Sequence, residues 1–380
     1  MIYMDSAATT PVKPEVLRAM WPYLTEAYGN PSSRHALGDV AARALAEARA
    51  RVAAVLGCRP KEIVFTSGGT EADNLAIKGI ALANPRGRHI VTAAIEHEAV
   101  LASCDYLARH HGFEITYANV DGYGTVQPET FERALRPDTA LASIMLANNE
   151  VGTLEPVAEL ASLARARGIP FHTDAVQAAG VLDLNVDTLG VDALSLSGHK
   201  IGAPKGVGIL YLRRRVAAEP LVHGGGQESG RRSGTENVAG AVAFATALEI
   251  VSGDREARAT QLCELRDRLI AGILQQVPGA MLTGHPVDRL PGHASFCFAG
   301  TSGESVLLAL EERGILCSSG SACAAGSDEP SHVLIAMGIG RELAQTAVRF
   351  SFTDEITSAD IDNVIRSVSD AVRALSALAS

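Results

Sequence analysis

The fold is decided in the middle of the chain, where residues 169–177 read Ile169-Pro170-Phe171-His172-Thr173-Asp174-Ala175-Val176-Gln177. An apolar run that ends in a carboxylate is typical of a buried strand with Asp174 at its carboxyl end. Open α/β sheets bind ligands at that end of their strands, so Asp174 is expected to face a ligand. A carboxylate buried there needs a cationic partner, because an unpaired charge is costly to bury. For the segment alone, an N-cap of the following turn is the simpler interpretation.

The next strand-to-turn segment supplies a lysine. It reads Ser195-Leu196-Ser197-Gly198-His199-Lys200 and continues into a loop rich in glycine and proline, 202–206. A lysine that follows a buried strand in such a turn is a candidate Schiff-base amine. The alternative is a solvated lysine in a surface loop.

A third segment has the features of an anion site. It reads Val64-Phe65-Thr66-Ser67-Gly68-Gly69-Thr70-Glu71, an apolar strand that leads through small residues into a helix. Backbone N–H groups at a helix start bind anions, and glycines let a phosphate approach closely. The segment is neither G-x-G-x-x-G nor a Walker A loop, so no nucleotide is specifically implied. The alternative is an ordinary strand–helix turn with a threonine cap.

The order of these three segments is more informative than any one of them. A phosphate-binding turn, an aspartate at a strand end and a Ser-x-His-Lys turn are together what pyridoxal 5′-phosphate requires. The lysine would bind the cofactor covalently, the aspartate would pair with the pyridinium nitrogen, and the helix start would hold the phosphate. The sequence therefore predicts a pyridoxal phosphate site.

Outward from these segments, strands alternate with helices, which predicts an α/β fold with a mostly parallel sheet covered by helices. The segment 193–212 is an exception, because a loop instead of a helix joins its two β-rich runs. After residue 253 the pattern changes to shorter mixed elements. We expect a large domain over residues 15–253 and a smaller α+β domain formed by residues 1–14 and 254–380. The predicted strands are Glu62–Thr66, His89–Ala94, Ala140–Met145, Ile169–Thr173, Ala193–Leu196 and Val207–Leu212. The predicted helices are Ala36–Leu56, Glu71–Leu82, Ala99–His111 and Val157–Arg167.

Composition excludes several classes of protein. The formal net charge of −10 argues against direct nucleic-acid binding. No run of about 18 apolar residues occurs, so no membrane span is expected. The N-terminus lacks the pattern of a signal peptide. The six cysteines include no C-x-x-C pair, so we expect no metal site built by this chain alone. Free thiols predict a cytoplasmic protein.

The chain resembles the group I cysteine desulfurases, enzymes of the class V aminotransferase family with fold type I that serve nitrogen-fixation and housekeeping iron–sulfur assembly. The resemblance covers essentially the whole chain. It rests on ordered motifs at residues 5–10, 29–35, 66–74, 96–100, 147–152, 172–177, 197–200, 232–237 and 318–323.

The resemblance implies a role for each matching residue. Lys200 would bind pyridoxal phosphate covalently, and His97 would stack on the cofactor ring and assist proton transfers. Asn149 would lie near the cofactor and the substrate carboxylate, which Arg349 would bind in a two-pronged hydrogen bond. Thr235 would reach the cofactor phosphate of the neighbouring subunit, which implies a homodimer. The other implied cofactor contacts are Asp174 at the pyridine nitrogen, Gln177 at the ring hydroxyl, and Gly69, Thr70, Ser197 and His199 at the phosphate.

Cys323 distinguishes between related activities. It lies in the loop 318–328, whose small residues predict exposure, and in the family it carries the sulfur of L-cysteine as a persulfide. An acceptor would follow, either an iron–sulfur scaffold, with which Cys323 would transiently share a cluster, or a tRNA-thiolation partner. A selenocysteine lyase or class V aminotransferase needs no such loop, and a non-catalytic sulfur-relay subunit would not need Lys200, Asp174 and His97. Ala324 departs from the usual Ser-Ala-Cys-Thr pattern, and Phe352-Thr353-Asp354 departs from the usual residues after Arg349.

Overall fold

The computed structural model describes residues 1–320 and 329–379 of the chain. Its strands are β1 (Ile2–Tyr3), β2 (Ile63–Thr66), β3 (His89–Ala93), β4 (Glu114–Ala118), β5 (Thr139–Ser143), β6 (Phe171–Asp174), β7 (Ala193–Ser197), β8 (Gly208–Leu212), β9 (Ala280–Thr283), β10 (His293–Phe298), β11 (Ile315–Leu316) and β12 (Ala347–Ser351). The helices are α1 (Pro14–Met20), α2 (Pro22–Thr25), α3 (Ala36–Leu56), α4 (Gly69–Asn74), α5 (Ile80–Ala83), α6 (Glu98–His111), α7 (Pro128–Ala134), α8 (Val157–Ala166), α9 (Val186–Leu189), α10 (Val238–Gly253), α11 (Arg255–Gln276), α12 (Gly303–Glu311), α13 (His332–Ala336), α14 (Arg341–Ala344) and α15 (Ser358–Ala379).

The main sheet positions the site. Within the described ranges it has seven strands in the order β2-β8-β7-β6-β5-β3-β4. Neighbours from β7 to β4 run parallel, and β8 is antiparallel to both β7 and β2. The α/β class and the predicted mostly parallel sheet are confirmed. The antiparallel β8 follows from the helix-free connection at 198–207, because two parallel strands need a longer crossover between them.

Local sequence explains the long helix α3. The side chain of His35 caps its N-terminus by accepting a hydrogen bond from the backbone of Gly38, and Gly57 ends it in a left-handed conformation. Alanine and leucine recur along one face, which packs against α10. The predicted helix at 71–82 is longer in the structure, because α4 and α5 are joined by one π-helical segment, Leu75–Gly79.

Two further sheets lie outside the main one. In the part of the chain that the structure describes, β12-β10-β9 form an antiparallel sheet and β1 pairs with β11 in parallel. The pairing of β1 with β11 joins residues more than 300 positions apart, so local pattern could not reveal it. The edge strand β4 was also missed, because its mixed sequence Glu-Ile-Thr-Tyr-Ala is only partly buried.

The apolar core is divided in a way that matches the predicted domains. One cluster contains Met4 together with residues from Leu262 to Val372. The other two clusters are built mainly from residues 16–251 on the two sides of the main sheet. This distribution supports the division at about residue 253, which stays a prediction. Among the described residues, no helix has the length and apolar character needed to cross a bilayer.

Candidate active site

A cavity of about 300 Å³ lies at the carboxyl ends of β6 and β7. The fold brings together there ten of the residues that the sequence singled out, although they are spread over 280 positions of the chain. Those ten residues are Gly69, Thr70, His97, Asn149, Asp174, Gln177, Ser197, His199, Lys200 and Arg349.

Asp174 and Lys200 form the charged centre of the cavity. Asp174 is buried, and its Oδ1 accepts a hydrogen bond of 2.8 Å from the backbone N–H of Val176. Burial raises the pKa of Asp174, whereas the nearby His97 and Lys200 act to lower it. The ammonium of Lys200 donates to the carbonyl oxygens of Ala7 and Ala8. The cationic partner that a buried Asp174 requires is therefore present.

The opposite end of the cavity is lined by small residues and hydroxyl groups. Gly68 has a φ of +157° at the start of α4. A Cβ at Gly69 would lie 3.0 Å from Cγ2 of Val176 and 3.4 Å from Cβ of Ser197, so a larger residue would crowd the cavity. His199 shares a hydrogen bond of 3.1 Å with Thr9. Burial, with smaller contributions from Lys200 and Lys205, lowers the pKa of His199 to about 4, so its ring is neutral near pH 7.

His97 is held by the helix that follows it. It is the N-cap of α6, and its Nδ1 accepts a hydrogen bond of 3.1 Å from the backbone N–H of Ala99. A neutral imidazole that accepts at Nδ1 has its proton on Nε2. The geometry therefore suits proton donation from Nε2, and the predicted role of His97 in proton transfers stays a prediction.

Arg349 approaches the cavity from β12 and is almost fully buried. Its Nη1 donates to the carbonyl oxygen of Asn149 at 2.8 Å, and its Nη2 donates to Oδ1 of Asp5 at 2.9 Å. Among the described residues, none accepts a hydrogen bond from its buried Nε. This edge of the guanidinium can bind a carboxylate.

The N-terminal segment closes one side of the cavity. Nε2 of Gln177 donates to the carbonyl oxygen of Ala7 at 3.0 Å, the same oxygen that Lys200 contacts. The backbone N–H of Ala7 in turn donates to Oγ of Ser351, next to the strand end of β12. Residues 5–8 therefore connect the lysine turn with the arginine strand.

Sequence reasoning missed two acidic residues of this site. Asp5 lay in a matched motif without an assigned role, yet it pairs with Arg349. Asp73 lines the cavity and is 1% exposed. An available signal for Asp73 was an acidic side chain on the same helix face as the small residues Gly69 and Ala72.

One predicted residue that the structure describes is not at the cavity. Thr235 is exposed and lines a separate cavity of about 190 Å³ with Ser67 and Arg232. Its predicted contact would be with a neighbouring subunit, and that contact stays a prediction. Cys323 lies outside the described residues, so its predicted role also stays a prediction.

Four of the described cysteines are poor nucleophiles at neutral pH. Burial raises the pKa of Cys58, Cys104 and Cys317 to about 12 and that of Cys297 to about 11. A thiol must ionise before it attacks, so these residues favour packing over chemistry. Within the described ranges, no group of three or more histidine, cysteine, aspartate or glutamate side chains could hold a metal ion.

Comparison with known proteins assigns the fold and site to a class. The chain matches the aminotransferase class-V family over residues 2–364, and it belongs to that family. Its curated relatives include a cysteine desulfurase IscS from Methanosarcina thermophila, 49% identical over 98% of this chain and 92% of the relative. Another is a cysteine desulfurase IscS from Dictyoglomus turgidum, 46% identical over 99% of this chain and 96% of the relative.

Solved structures agree with this assignment. A NifS-like protein superposes with a TM-score of 0.92 at 39% identity, covering 98% of this chain and all of the other. A structure of SspA in complex with cysteine superposes with a TM-score of 0.83 at 36% identity, covering 93% and 99% of the two chains. Cysteine desulfurases of the class V family depend on pyridoxal 5′-phosphate.

The residues of the cavity fit that cofactor. A buried carboxylate lies within electrostatic reach of a lysine, as the pyridinium nitrogen and covalent attachment require. The cradle of Gly68, Gly69 and Ser197 leaves room that a Cβ at Gly69 would crowd. Asp174 would hold the ring nitrogen, Lys200 the reactive carbon, and the start of α4 the phosphate.

Proposed function

We propose that this protein is a pyridoxal-phosphate-dependent cysteine desulfurase that transfers sulfur from L-cysteine to its own Cys323. The observation that carries this proposal is the convergence of Lys200, Asp174, His97 and Arg349 in one cavity. The cysteine desulfurase relatives along the whole chain support the same activity. The likeness to SspA solved in complex with cysteine supports L-cysteine as the substrate.

The cavity residues divide the work of the reaction. The bound cofactor supplies an electron-withdrawing ring that stabilises negative charge at the α-carbon of the substrate. Asp174 would keep the ring nitrogen protonated, and the guanidinium of Arg349 would orient the substrate carboxylate. Lys200, once released by the substrate amine, moves the α-proton. His97 delivers a proton from Nε2.

The sulfur step balances without an external oxidant. The Cys323 thiolate attacks the substrate sulfur, so that an S–S bond forms as the C–S bond breaks. The electron pair of the C–S bond stays with the substrate carbon, which then takes a proton. The net change converts L-cysteine and a thiol into L-alanine and a persulfide. The attack requires a thiolate, so Cys323 must be more acidic than the buried cysteines.

The persulfide must then be passed to an acceptor. The relatives named IscS support an iron–sulfur scaffold as that acceptor, and a tRNA-thiolation partner is a further acceptor of the same chemistry. A transient cluster shared between Cys323 and the scaffold is consistent with the cysteines of this chain, whose spacing includes no C-x-x-C pair. A working free thiol also suits a cytoplasmic setting.

A second copy of the chain would complete the site. Thr235 is exposed, and the resemblance assigns it to the phosphate of a neighbouring subunit. Leu17, Trp21, Leu24 and Tyr28 are each at least half exposed on the N-terminal helices and the residues after them; we call them the N-terminal apolar face. Exposed apolar side chains so close in sequence favour an interface with another protein surface.

The test is the stoichiometry of products from L-cysteine. The purified protein loaded with cofactor should release one sulfide per alanine in the presence of a reducing thiol. Cys323→Ala should keep the bound cofactor but lose sulfide release by about 100-fold or more, because the acceptor of the sulfur is gone. The matched control is Cys317→Ala, which removes a half-buried thiol six positions earlier and should leave activity nearly unchanged.

Two outcomes would contradict the proposal. Full sulfide release by Cys323→Ala would exclude the persulfide role. Transfer of the amino group to a 2-oxo acid without sulfide would instead indicate an aminotransferase.

A further inference from the structure

Asp73 lines the same cavity as Asp174 and Lys200. It belongs to α4 and is 1% exposed. Its side chain interacts with the carboxyl of Asp174 and with the hydroxyl of Ser195 on β7. Among the described residues, no donor reaches its Oδ1, which lies 3.7 Å from Nε2 of His172.

His172 is not a cation that could neutralise Asp73. Its ring is fully buried, with Nδ1 at 2.9 Å from Oγ of Ser143 and Nε2 at 3.0 Å from Oγ of Ser195. Burial lowers the pKa of His172 to about 3, so the imidazole is neutral. On the side of Asp73 that faces β6 and β7, the neighbouring groups are therefore neutral apart from the carboxyl of Asp174.

A third acid, Glu96, lies close to the same pair. It is fully buried, and its Oε1 accepts a hydrogen bond of 2.8 Å from the backbone N–H of Met145. Three carboxyl groups in one dry region cannot all be ionised, because each charge would repel the others without water to screen it. Burial and the neighbouring acids raise the pKa of Asp73 and of Glu96 well above the usual range.

The groups around each carboxyl decide which carboxyl is ionised. His97 and Lys200 interact with Asp174, and the N–H of Val176 donates to it. No cation contributes appreciably to the pKa of Asp73 or of Glu96 among the described residues. The negative charge therefore belongs on Asp174, and the proton of the pair belongs on Asp73.

We propose that Asp73 is a positioning residue that, as a neutral acid, donates a hydrogen bond to Asp174 and holds that carboxylate toward the cofactor nitrogen. The inference rests on the proposed function only in taking pyridoxal phosphate as the occupant of the cavity. Asp73 contacts the cofactor through Asp174 and takes no proton from the substrate.

The consequence is a tuned basicity of Asp174. A carboxylate that receives a hydrogen bond is a weaker base, so the shared proton stays on the cofactor nitrogen. Without that donor, Asp174 would draw the proton toward itself and the ring would withdraw fewer electrons. Asp73 thereby helps to keep the cofactor nitrogen protonated through its hydrogen bond to Asp174.

The test compares three substitutions. Asp73→Asn retains an N–H donor of nearly the same shape, whereas Asp73→Leu and Asp73→Ala retain none. Cofactor affinity of the apoprotein is measured by titration with pyridoxal phosphate, and the pH midpoint of the visible absorption band of the bound cofactor is measured by spectrophotometry. The matched control is Glu155→Gln, which replaces a buried acid that does not line the cavity with its amide.

We expect Asp73→Asn and Glu155→Gln to bind the cofactor within about threefold of wild type. Asp73→Leu should bind it about 10- to 100-fold more weakly, the usual effect of losing a hydrogen bond to a charged group. Its absorption midpoint should move to higher pH, since a less electron-withdrawing ring leaves the nitrogen bound to Lys200 more basic. Asp73→Ala provides the same comparison if the leucine variant does not fold.

The proposal is overturned if the folded leucine or alanine variant matches wild type in both measurements. It is equally overturned if Asp73→Asn is as impaired as Asp73→Leu, because a donor would then not be the requirement. These readouts do not use L-cysteine. A protein that binds the cofactor normally but releases no sulfide would contradict the proposed function and leave the Asp73 comparison intact.

Discussion

The guanidinium of Arg349 uses two of its three nitrogens within the described residues, on the carbonyl of Asn149 and the carboxylate of Asp5. These partners are 200 and 344 positions away in the chain. They hold the planar group of a residue that lines the cavity, and a planar fork binds a carboxylate with two hydrogen bonds. The role of this arginine therefore depends on the residues that orient it.

Replacement of Arg349 by lysine should separate binding from chemistry. A lysine keeps the charge but cannot hold Asp5, Asn149 and the substrate at once. We expect the KM for L-cysteine to rise about 10- to 100-fold for Arg349→Lys, with a smaller fall in kcat, as for the loss of a charged hydrogen bond. Steady-state kinetics of sulfide release measure both constants.

The control is Arg341→Lys, which changes an exposed arginine paired with Glu329. It should leave KM within about twofold of wild type, because exposed ion pairs contribute little free energy. An unchanged KM in Arg349→Lys would remove this residue from substrate binding.

At the scale of elements, the strand β8 lies in close contact with the turn that would hold the phosphate. Its first residue, Gly208, pairs with Thr66 of β2 and Ser197 of β7. A Cβ at Gly208 would lie 2.6 Å from the carbonyl oxygen of Leu196 and 2.7 Å from Cα of Gly68. Both contacts are with backbone, which cannot move aside as a flexible side chain could.

Gly208→Ala should therefore act on stability and cofactor binding together. Overpacking of this kind lowers the free energy of unfolding by about 1–3 kcal/mol. Displacement of Gly68 should also weaken pyridoxal phosphate binding. Urea denaturation of the apoprotein and cofactor titration measure the two effects.

The comparison variant is Gly253→Ala at the end of α10, where a Cβ would meet nothing within 4 Å. We expect its stability to change by less than about 1 kcal/mol. If Gly208→Ala were as stable as Gly253→Ala and bound the cofactor normally, the close approach of β8 to the turn would be required neither for stability nor for cofactor binding.

At the scale of the whole molecule, the N-terminal apolar face and Thr235 bear on the proposed homodimer. Trp21 is 56% exposed and Tyr28 is 67% exposed. Large aromatic side chains contribute much of the binding energy at protein interfaces. The site proposed here is complete only if the interface brings Thr235 to the neighbouring cofactor.

Trp21→Glu should shift the protein from dimer toward monomer in sedimentation velocity, because a buried charge without a partner opposes association. Cofactor affinity should fall with it, since Thr235 would no longer reach the phosphate. Leu308→Glu is the control, because Leu308 is 57% exposed on α12, in a different part of the chain. A Trp21→Glu variant that stays dimeric at low micromolar concentration would exclude this face as the interface.

Much of the fold could be predicted from local pattern. The helix α3 was predicted at its observed bounds, and the predicted strands near β2, β3, β5, β6, β7 and β8 overlap the observed ones. Periodicity and capping act within a few residues, so they are visible in a short window of sequence. The pairing of β1 with β11 and the edge strand β4 were not visible, because they depend on distant partners and partial burial.

The site likewise combines features that local sequence predicts with features that depend on distant parts of the chain. The ordered combination of the strand-end and turn motifs predicted the chemistry of Asp174, Lys200 and the glycine-rich turn, although each motif alone had a simpler interpretation. Only the tertiary structure decided that Asp5 pairs with Arg349, that Asp73 interacts with Asp174, and that Nδ1 of His97 accepts a hydrogen bond from the start of α6. The physical reason is that protonation and orientation depend on burial and on neighbouring charges, which packing brings together from distant parts of the chain.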